Sequence, residues 1–289
     1  MLMEKLYVNN NGKVLDRENP SIDAGNRGHL YGDGIFESIR VINGRPVNLE
    51  THIMRMFDGA IALKMKLPDF FKVEYFEEKI NELLEKSNIE EGGKVRVSLD
   101  RAIGGTYKPK NNQATYFIEV LPLKRNAFKL NDEGLTVDLY TEMRKHNSKL
   151  GNYKTKNALI YIMCSLAAEE KNMDELLVTN PKGGILESSS SNIFVVSNGV
   201  LYTPGLEEGP VGGVMRMTLI NLALENGIKV YECAILPQNL LAADEVFLTN
   251  AIGGIRWIKQ YRGKTYKNEM AERLVQILNN KFSKFKVSD

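Results

Sequence analysis

Apolar residues recur along this chain with two spacings, one typical of amphipathic helices and one typical of strands. The helical spacing predicts helices at residues 50–66, 72–87, 155–171, 214–226 and 269–283. Alternating positions and short apolar runs predict strands near 94–101, 114–121, 135–141, 175–179, 192–197, 200–203, 229–233, 245–250 and 255–261. In the first predicted helix, the apolar stripe that we expect to face a core consists of Ile53, Met56, Phe57, Ala60, Ile61 and Leu63.

Turn signals organise the N-terminal part. Residues 6–15 alternate around a polar turn, which predicts a hairpin, and Asn43-Gly44 predicts a second hairpin turn. Between them, three glycines in residues 26–34 allow tight turns before an alternating strand. One face of that strand carries Phe36, Ser38 and Arg40, and the other carries Glu37, Ile39 and Val41.

A polar segment divides the chain. Residues 122–133 begin with a proline and are poor in helix formers, which is typical of a connection between domains. We therefore predict a small N-terminal α/β domain at 1–121, an interdomain linker at 122–133 and a C-terminal domain at 134–289. The loop at 103–112 has the composition of an exposed, mobile segment.

Composition excludes several classes of protein. The chain has 289 residues, 43% hydrophobic and 26% charged, with a net charge of +2. This is typical of a globular protein, and the interspersed charges predict no nucleic-acid partner. No apolar run reaches the length of a membrane span, and residues 1–5 lack a signal core, so we expect a cytoplasmic protein without membrane contact. Two cysteines and three histidines are scattered, which predicts neither a disulfide framework nor a metal site.

The first candidate for chemistry is Lys154, where a polar turn meets the apolar run that begins near Leu159. A neutral lysine amine attacks carbonyl groups and forms Schiff bases. Most lysines are solvated surface residues, so Lys154 alone is weak support for catalysis, and Lys156 offers the same chemistry two residues later.

Three segments together resemble the class IV aminotransferases, the pyridoxal-phosphate (PLP) enzymes of fold type IV. They are Lys154-Thr155-Lys156-Asn157, the run Glu187 to Phe194, and the run Gly209 to Arg216. The resemblance extends from about Leu6 to about Val275, with the motifs in the family's order and spacing. It implies a two-domain α/β (α+β) fold, with a small N-terminal α/β sandwich and a larger C-terminal pseudo-barrel domain, and a homodimer.

The resemblance also implies how PLP would be held. Lys154 matches the lysine that forms the internal aldimine and moves the proton at the substrate's Cα, and Asn157 in phase favours it over Lys156. Glu187 matches the carboxylate at the pyridine nitrogen. Positions that bind the phosphate are matched by Arg55, the N–H groups of Val214 and Met215, and the loop residues Asn250 and Ala251. Without the resemblance, Glu187 is explained as an ordinary carboxylate in a turn before a strand. Arg55 is then explained as a charge on a solvated helix face.

Substrate contacts follow from the same resemblance. Positions that line the substrate pocket in relatives are matched by Tyr31, Phe36, Ser38, Arg40, Arg96 and Tyr107. Tyr107 lies in a loop that reaches a partner subunit's site in the family. A core position explains Phe36 equally well, and a strand charge explains Arg40 and Arg96 equally well.

The implied activity is an aminotransferase that exchanges an amino group between an amino acid and a 2-oxo acid. The alternative is 4-amino-4-deoxychorismate lyase, which releases pyruvate with the same lysine, and a third is a catalytically silent relative. Leu159 stands where branched-chain enzymes have tyrosine, and residues 104–107 lack the Arg-x-His of D-amino acid enzymes. The run Gly213 to Arg216 matches the Gly-x-Met-Arg frequent in the lyases, so no subclass fits fully.

Overall fold

The computed structural model describes residues 5–282, which divide into two compact units. The first unit comprises residues 5–127 and 153–157, and the second comprises 128–152 and 158–282. The first unit thus ends within the segment that we predicted as a linker. The domain boundaries at residues 121 and 134 remain predictions. The predicted outer domain bounds at residues 1 and 289, and the predicted end of the last helix at residue 283, lie outside the described residues.

The first unit is a six-stranded antiparallel sheet with two long helices packed on one face. The strand order is β2-β1-β6-β5-β3-β4. Its elements are β1 (Tyr7–Asn10), β2 (Lys13–Asp16), α1 (Arg27–Tyr31), β3 (Gly34–Ile42), β4 (Arg45–Pro46), α2 (Leu49–Ala62), α3 (Val73–Lys86), β5 (Gly93–Arg101) and β6 (Ala114–Pro122).

Alternation along β3 decides which of its side chains enter the core. Ile35 and Ile39 are fully buried in the core that α2 and α3 complete, and Glu37 shares their strand face. The predicted stripe of α2 is wrong at Ile61, which is 61% exposed. At about 100° per residue, Ile61 lies at the edge of the stripe formed by Ile53, Met56 and Ala60, where its side chain points away from the core.

The second unit is built on a nine-stranded sheet of which part closes on itself. Its elements are β7 (Leu135–Leu139), α4 (Leu159–Glu170), β8 (Glu175–Thr179), β9 (Ile185–Ser188), β10 (Asn192–Ser197), β11 (Val200–Thr203), α5 (Val214–Glu225), β12 (Val230–Glu232), α6 (Pro237–Ala242), β13 (Glu245–Asn250), β14 (Gly254–Tyr261), β15 (Lys264–Thr265) and α7 (Glu269–Phe282), with a 3-10 turn at Leu206–Glu208. Six strands close in the order β10-β13-β14-β7-β8-β9, because β9 pairs with both β8 and β10. This barrel-like sheet confirms the predicted fold class.

The segment around Lys154 differs from the prediction, which placed it at a helix start. The Lys154 carbonyl accepts the N–H of Phe36 at 3.0 Å, and the Lys156 N–H donates to the Gly34 carbonyl at 2.9 Å. Thr155 thereby forms an antiparallel β-bridge with Ile35, so this segment is extended and is not the first turn of a helix. The helix α4 begins only at Leu159.

Three short elements are absent from the sequence prediction, namely α1, β9 and α6. They have five, four and six residues. Such lengths are too short to display a hydrophobic period.

Both cysteines are free thiols. Within residues 5–282, none of the helices combines the length and the apolar character required to cross a bilayer.

Helix α2 approaches β3 closely at Gly59. A Cβ at this position would lie 2.1 Å from the Cδ1 of Ile35 and 3.2 Å from a ring carbon of Tyr153. We expect Gly59→Ala to lower the free energy of unfolding by about 1–3 kcal/mol through overpacking, although alanine favours a helix over glycine by roughly 1 kcal/mol. Urea unfolding followed by circular dichroism measures the change.

The background Ile35→Val tests the cause, because it removes the Cδ1 atom. Gly59→Ala should be less destabilising in the Ile35→Val protein than in the wild type. Equal losses in the two backgrounds would show that this contact does not limit the approach of α2 to β3.

Candidate active site

Lys154 lies beside a buried cluster of ionisable side chains in the first unit. Its Nζ is 4.5 Å from the centroid of the Phe36 ring, and its charge contributes to the lowered pKa of His52. Lys156 has a different environment, since its Nζ pairs with the Asp100 carboxylate at 2.6 Å. The two lysines that the sequence left in competition therefore have different partners, and only Lys154 is next to the cluster.

Glu37 is the centre of this cluster, although the sequence analysis gave it no role. Its fully buried carboxylate accepts two hydrogen bonds from Arg55, Nε at 2.7 Å and Nη2 at 2.5 Å, and one from His52 Nδ1 at 2.7 Å. Burial raises the pKa of Glu37, but the charge of Arg55 and the donated hydrogen bonds outweigh burial and lower it overall. Glu37 is therefore ionised.

His52 is held neutral in this setting. Burial lowers its pKa, the nearby charges of Arg55 and Lys154 act in the same direction, and Glu37 opposes them only in part. An ionised carboxylate only accepts hydrogen bonds, so His52 Nδ1 carries the hydrogen. The signal for this arrangement was present in the sequence: a glutamate on the apolar face of a strand requires a partner.

Arg55 is the predicted phosphate ligand, and the structure shows what orients it. Glu37 binds its guanidinium in a bidentate geometry, which fixes the plane of the group. The Arg55 side chain is 14% exposed. Its contact with a phosphate stays a prediction.

The predicted substrate residues have different environments. The Arg96 guanidinium stacks on the Phe36 ring, 3.8 Å from its centroid, and Ser38 is the cross-strand neighbour of Arg96. Arg40 is buried and donates to the backbone carbonyls of residues 125 and 127. These contacts explain the burial of Arg40 without a substrate, whereas Arg96, Phe36 and Ser38 lie together on one face of the sheet.

A cavity of about 690 Å³ in the first unit adjoins this face of the sheet. Its volume is in the range of small-molecule sites. Its walls include Arg96, Ser98, Asp100 and Lys156, together with residues of the segment before α1. Of the six predicted substrate residues, only Arg96 lines this cavity.

Tyr31 and Tyr107 are the last two of the predicted substrate residues, and they form an aromatic pair with ring centroids 5.8 Å apart. Tyr107 is 93% exposed. The loop that carries Tyr107 is held by Arg27, whose Nη1 donates to the carbonyls of Gly104, Gly105 and Thr106 at 3.2, 3.3 and 2.7 Å. The same guanidinium lies 4.8 Å from the centroid of the Tyr31 ring, so one arginine supports both members of the pair.

Arg27 is itself anchored by Asp33, which it shares with Arg101. Asp33 Oδ2 accepts from Arg27 Nε at 2.8 Å and from Arg101 Nε at 2.9 Å. Arg101 Nη1 also donates to Asn112 Oδ1 at 2.8 Å, near the far end of the loop. Burial raises the pKa of Asp33, but the hydrogen bonds from the two arginines outweigh it and lower the pKa overall. Both ends of the loop are thus tied to the Asp33 carboxylate, whose side chain is 15% exposed.

In the second unit, Glu187 is surrounded by hydrogen-bond donors. Lys145 Nζ and the Tyr161 hydroxyl each donate to its Oε1 at 2.7 Å, and the N–H of Val211 donates to its Oε2 at 2.8 Å. Burial raises the pKa of Tyr161, and the charge of Glu187 raises it further, so the phenol keeps its hydrogen. Neither Lys145 nor Tyr161 was predictable as a partner of Glu187, because their spacing from Glu187 follows no helical or strand period.

Three polar side chains lie in one row across neighbouring strands of the barrel. Glu187 on β9 pairs with Asn192 on β10, which pairs with Thr249 on β13. Paired residues on adjacent strands project from the same face of a sheet. Thr249 is buried, and its hydroxyl has no hydrogen-bond partner among the described residues.

The N-terminus of α5 lies next to this row. The helix starts at Val214 after Gly213, whose position lacks a side-chain cap. A Cβ on Gly213 would lie 1.9 Å from Asn192 Oδ1, so a side chain does not fit there without a shift of Asn192. The first N–H groups of a twelve-residue helix, among them those of Val214 and Met215, form a site that favours an anion.

The loop predicted as a further phosphate contact is held by hydrogen bonds of the Asn250 side chain. Asn250 Nδ2 donates to Ser191 Oγ at 2.9 Å. Its Oδ1 accepts the N–H groups of Ile252 and Gly253 at 3.1 and 2.7 Å, an Asx turn that fixes the backbone through Ala251.

Comparison with known proteins identifies the class. The sequence profile of the amino-transferase class IV family matches residues 34–261, so the chain belongs to this family. The family membership confirms the resemblance found in the sequence and the expectation of an enzyme.

Similar proteins include enzymes with different names. A putative branched-chain-amino-acid aminotransferase of Methanocaldococcus jannaschii is 29% identical, over 96% of this chain and 95% of the relative. An aminodeoxychorismate lyase of Bacillus subtilis is 27% identical, over 86% and 83%. The crystal structure of a branched-chain aminotransferase from Thermoproteus uzoniensis with norvaline has a TM-score of 0.86 and 26% identity, over 94% of this chain and 93% of the other.

The buried pair of Glu37 and His52 predicts a loss of stability in acid. Both pKa values are lowered on folding, so the unfolded chain binds more protons and stability falls as pH decreases. The contribution of His52 begins to fall below its ordinary value of 6.5, and that of Glu37 below 4.5. We expect His52→Gln to flatten the decline of the thermal midpoint between pH 7 and pH 5. His146→Gln, at an exposed position, should keep the wild-type decline.

The contacts of Arg27 predict that this residue orders the loop at 103–112. We expect Arg27→Gln to accelerate tryptic cleavage after Lys110 by tenfold or more, about 1.4 kcal/mol in local opening free energy. Arg17→Gln, which changes an exposed arginine, is the control and should cleave at the wild-type rate. Equal cleavage rates in the Arg27 and Arg17 variants would show that the loop is held by other contacts.

Proposed function

We propose that this protein is a PLP-dependent aminotransferase that exchanges an amino group between an amino acid and a 2-oxo acid. The observation that carries the proposal is the position of Lys154 beside the cluster of Glu37, His52 and Arg55, whereas Lys156 is paired with Asp100. Membership in the class IV family supports the proposal independently.

The described residues fit the chemical requirements of PLP, which are an amine, a carboxylate and an anion site. The three groups that hydrogen-bond to Glu187 are all donors, and a carboxylate held in this way suits a protonated ring nitrogen. The uncapped start of α5 favours a phosphate, and the buried Thr249 hydroxyl is a polar atom that requires a partner near the same row of residues.

When bound, PLP supplies an aldehyde that reacts with amines and a ring that withdraws electrons from the substrate's Cα. Lys154 provides the primary amine, and the same nitrogen takes and returns the Cα proton. Glu187 holds the proton at the ring nitrogen. By the family resemblance, the first N–H groups of α5 and the backbone of Asn250 and Ala251 would hold the phosphate, and Arg55 matches a further phosphate ligand.

On the substrate side, we propose that Arg96 binds a carboxylate and that Phe36 and Ser38 line the pocket with it. Tyr31 and Tyr107 act as an exposed aromatic pair in substrate recognition. The main-chain contacts of Arg40 favour a structural role for this residue over direct substrate contact. The homodimer implied by the family resemblance and the cytoplasmic location expected from the composition remain part of this proposal.

A second candidate is 4-amino-4-deoxychorismate lyase, which uses the same lysine to release pyruvate. One observation favours it: the start of α5 reads Gly213-Val214-Met215-Arg216, which matches the motif frequent in these lyases. The Bacillus subtilis relative carries that activity in its name.

The visible absorption spectrum of the PLP-loaded protein tests the proposal. The wild type should show the yellow band of lysine-linked PLP, and L-glutamate should convert it to the spectrum of pyridoxamine phosphate. Lys154→Ala should lack the band and lose turnover by more than about 10²-fold, because the proton-transfer group is removed. Lys156→Ala is the matched control and should keep both properties. A normal band in Lys154→Ala would refute the assignment of this lysine.

Incubation with aminodeoxychorismate in the absence of a 2-oxo acid separates the two candidates. Release of pyruvate under these conditions, together with a yellow band that L-glutamate does not change, would replace the aminotransferase with the lyase. An aminotransferase should release no pyruvate.

A further inference from the structure

A second lysine, Lys145, is buried against Glu187. Its Nζ donates to Glu187 Oε1 at 2.7 Å and to the carbonyl of Gly151 at 2.9 Å. The Lys145 side chain is 11% exposed and that of Glu187 is 4% exposed, so both charges are largely removed from water. Removing two charges from water is costly, and a neutral donor would satisfy the same lone pair at a smaller cost.

The acceptor positions of Glu187 are nearly filled by the protein itself. A carboxylate offers about four lone-pair positions, two on each oxygen. Lys145 and Tyr161 occupy Oε1, and the N–H of Val211 occupies one position on Oε2. The fourth position, on Oε2, is the one that suits the N–H of a bound ring.

Lys145 is the only positive group among these three donors. The titratable groups that contact Glu187 are Lys145 and Tyr161, and Cys164 acts on Tyr161 in turn. A carboxylate that shares its charge with an ammonium attracts a further proton less strongly than one held by neutral donors. Lys145 therefore weakens the electrostatic attraction that Glu187 would exert on a ring proton.

We propose that Lys145 is a positioning residue for Glu187, whose ammonium fixes the orientation of the carboxylate and sets how firmly the ring nitrogen of bound PLP keeps its proton. This inference rests on the proposed function. In this role Lys145 acts through Glu187, and its second bond, to Gly151, gives it a structural role as well. The test therefore has to separate electrostatics from structure.

Ring protonation is measured directly by the ¹⁵N chemical shift of bound PLP labelled at the ring nitrogen. In Lys145→Met, which removes the charge and keeps the length, the pH at which the ring nitrogen loses its proton should rise by about 1 unit or more. Lys145→Arg keeps the charge and should restore a value near that of the wild type. Lys182→Met, at an exposed lysine of the same unit, is the control and should leave the titration unchanged.

Unfolding of the PLP-free variants, measured in parallel, reports the structural role. A lower thermal midpoint in Lys145→Met with an unchanged ¹⁵N titration would overturn the inference and leave a purely structural ion pair. If Lys145→Met does not fold, Lys145→Gln replaces it, because glutamine keeps a neutral donor, and the same upward shift is expected. Failure of the wild type to bind labelled PLP would refute the proposed function instead, so the two failures are distinguishable.

Discussion

A carboxylate cannot be buried in an apolar layer unless donors and a positive charge accompany it, and Glu37 imposes this constraint on the first unit. It lies on the β3 face that also carries Ile35 and Ile39 and has no access to water. Helix α2 must therefore present His52 and Arg55, one helical turn apart, in one orientation. The charge that stabilises Glu37 is thereby fixed beside Lys154, so a requirement of the core determines the electrostatic environment of the candidate catalytic lysine.

The second unit meets the same constraint where its barrel closes. Glu187 is on β9, the short strand that pairs with β8 on one side and β10 on the other. Its donors come from a loop, from α4 and from the segment before α5, so three parts of the chain converge on one carboxylate. Breaking a buried ion pair of this kind by removal of one partner typically costs about 3–5 kcal/mol. Closure of the barrel and orientation of Glu187 are therefore coupled.

The sequence predicts the parts of this structure that depend on local pattern. Long helices and strands, the hairpin turns and the faces of β3 follow from periodicity, and they are present. The helix start at Lys154 was predicted wrongly, because the bonds between this segment and β3 join residues more than a hundred positions apart. Glu37 was detectable as a charge on an apolar face. The role of Lys145 was not detectable from the sequence, because 42 residues separate it from Glu187 and a surface position explains a lysine equally well.

Leu159 stands at a position where branched-chain enzymes have a tyrosine, and the contacts of Glu187 show where this chain places a phenol instead. In branched-chain enzymes, by the family resemblance, a tyrosine at this position bonds the phenolic oxygen of the cofactor. Here Leu159 is 66% exposed, and a phenol is placed two residues later, where Tyr161 donates to Glu187. The Tyr161 phenol is therefore occupied by the Glu187 carboxylate, and Leu159 has no polar group that could replace the tyrosine hydroxyl. Tyr161 and Lys145 thus both donate to the one carboxylate of Glu187, and under the proposed function their effect on the cofactor would pass through that carboxylate.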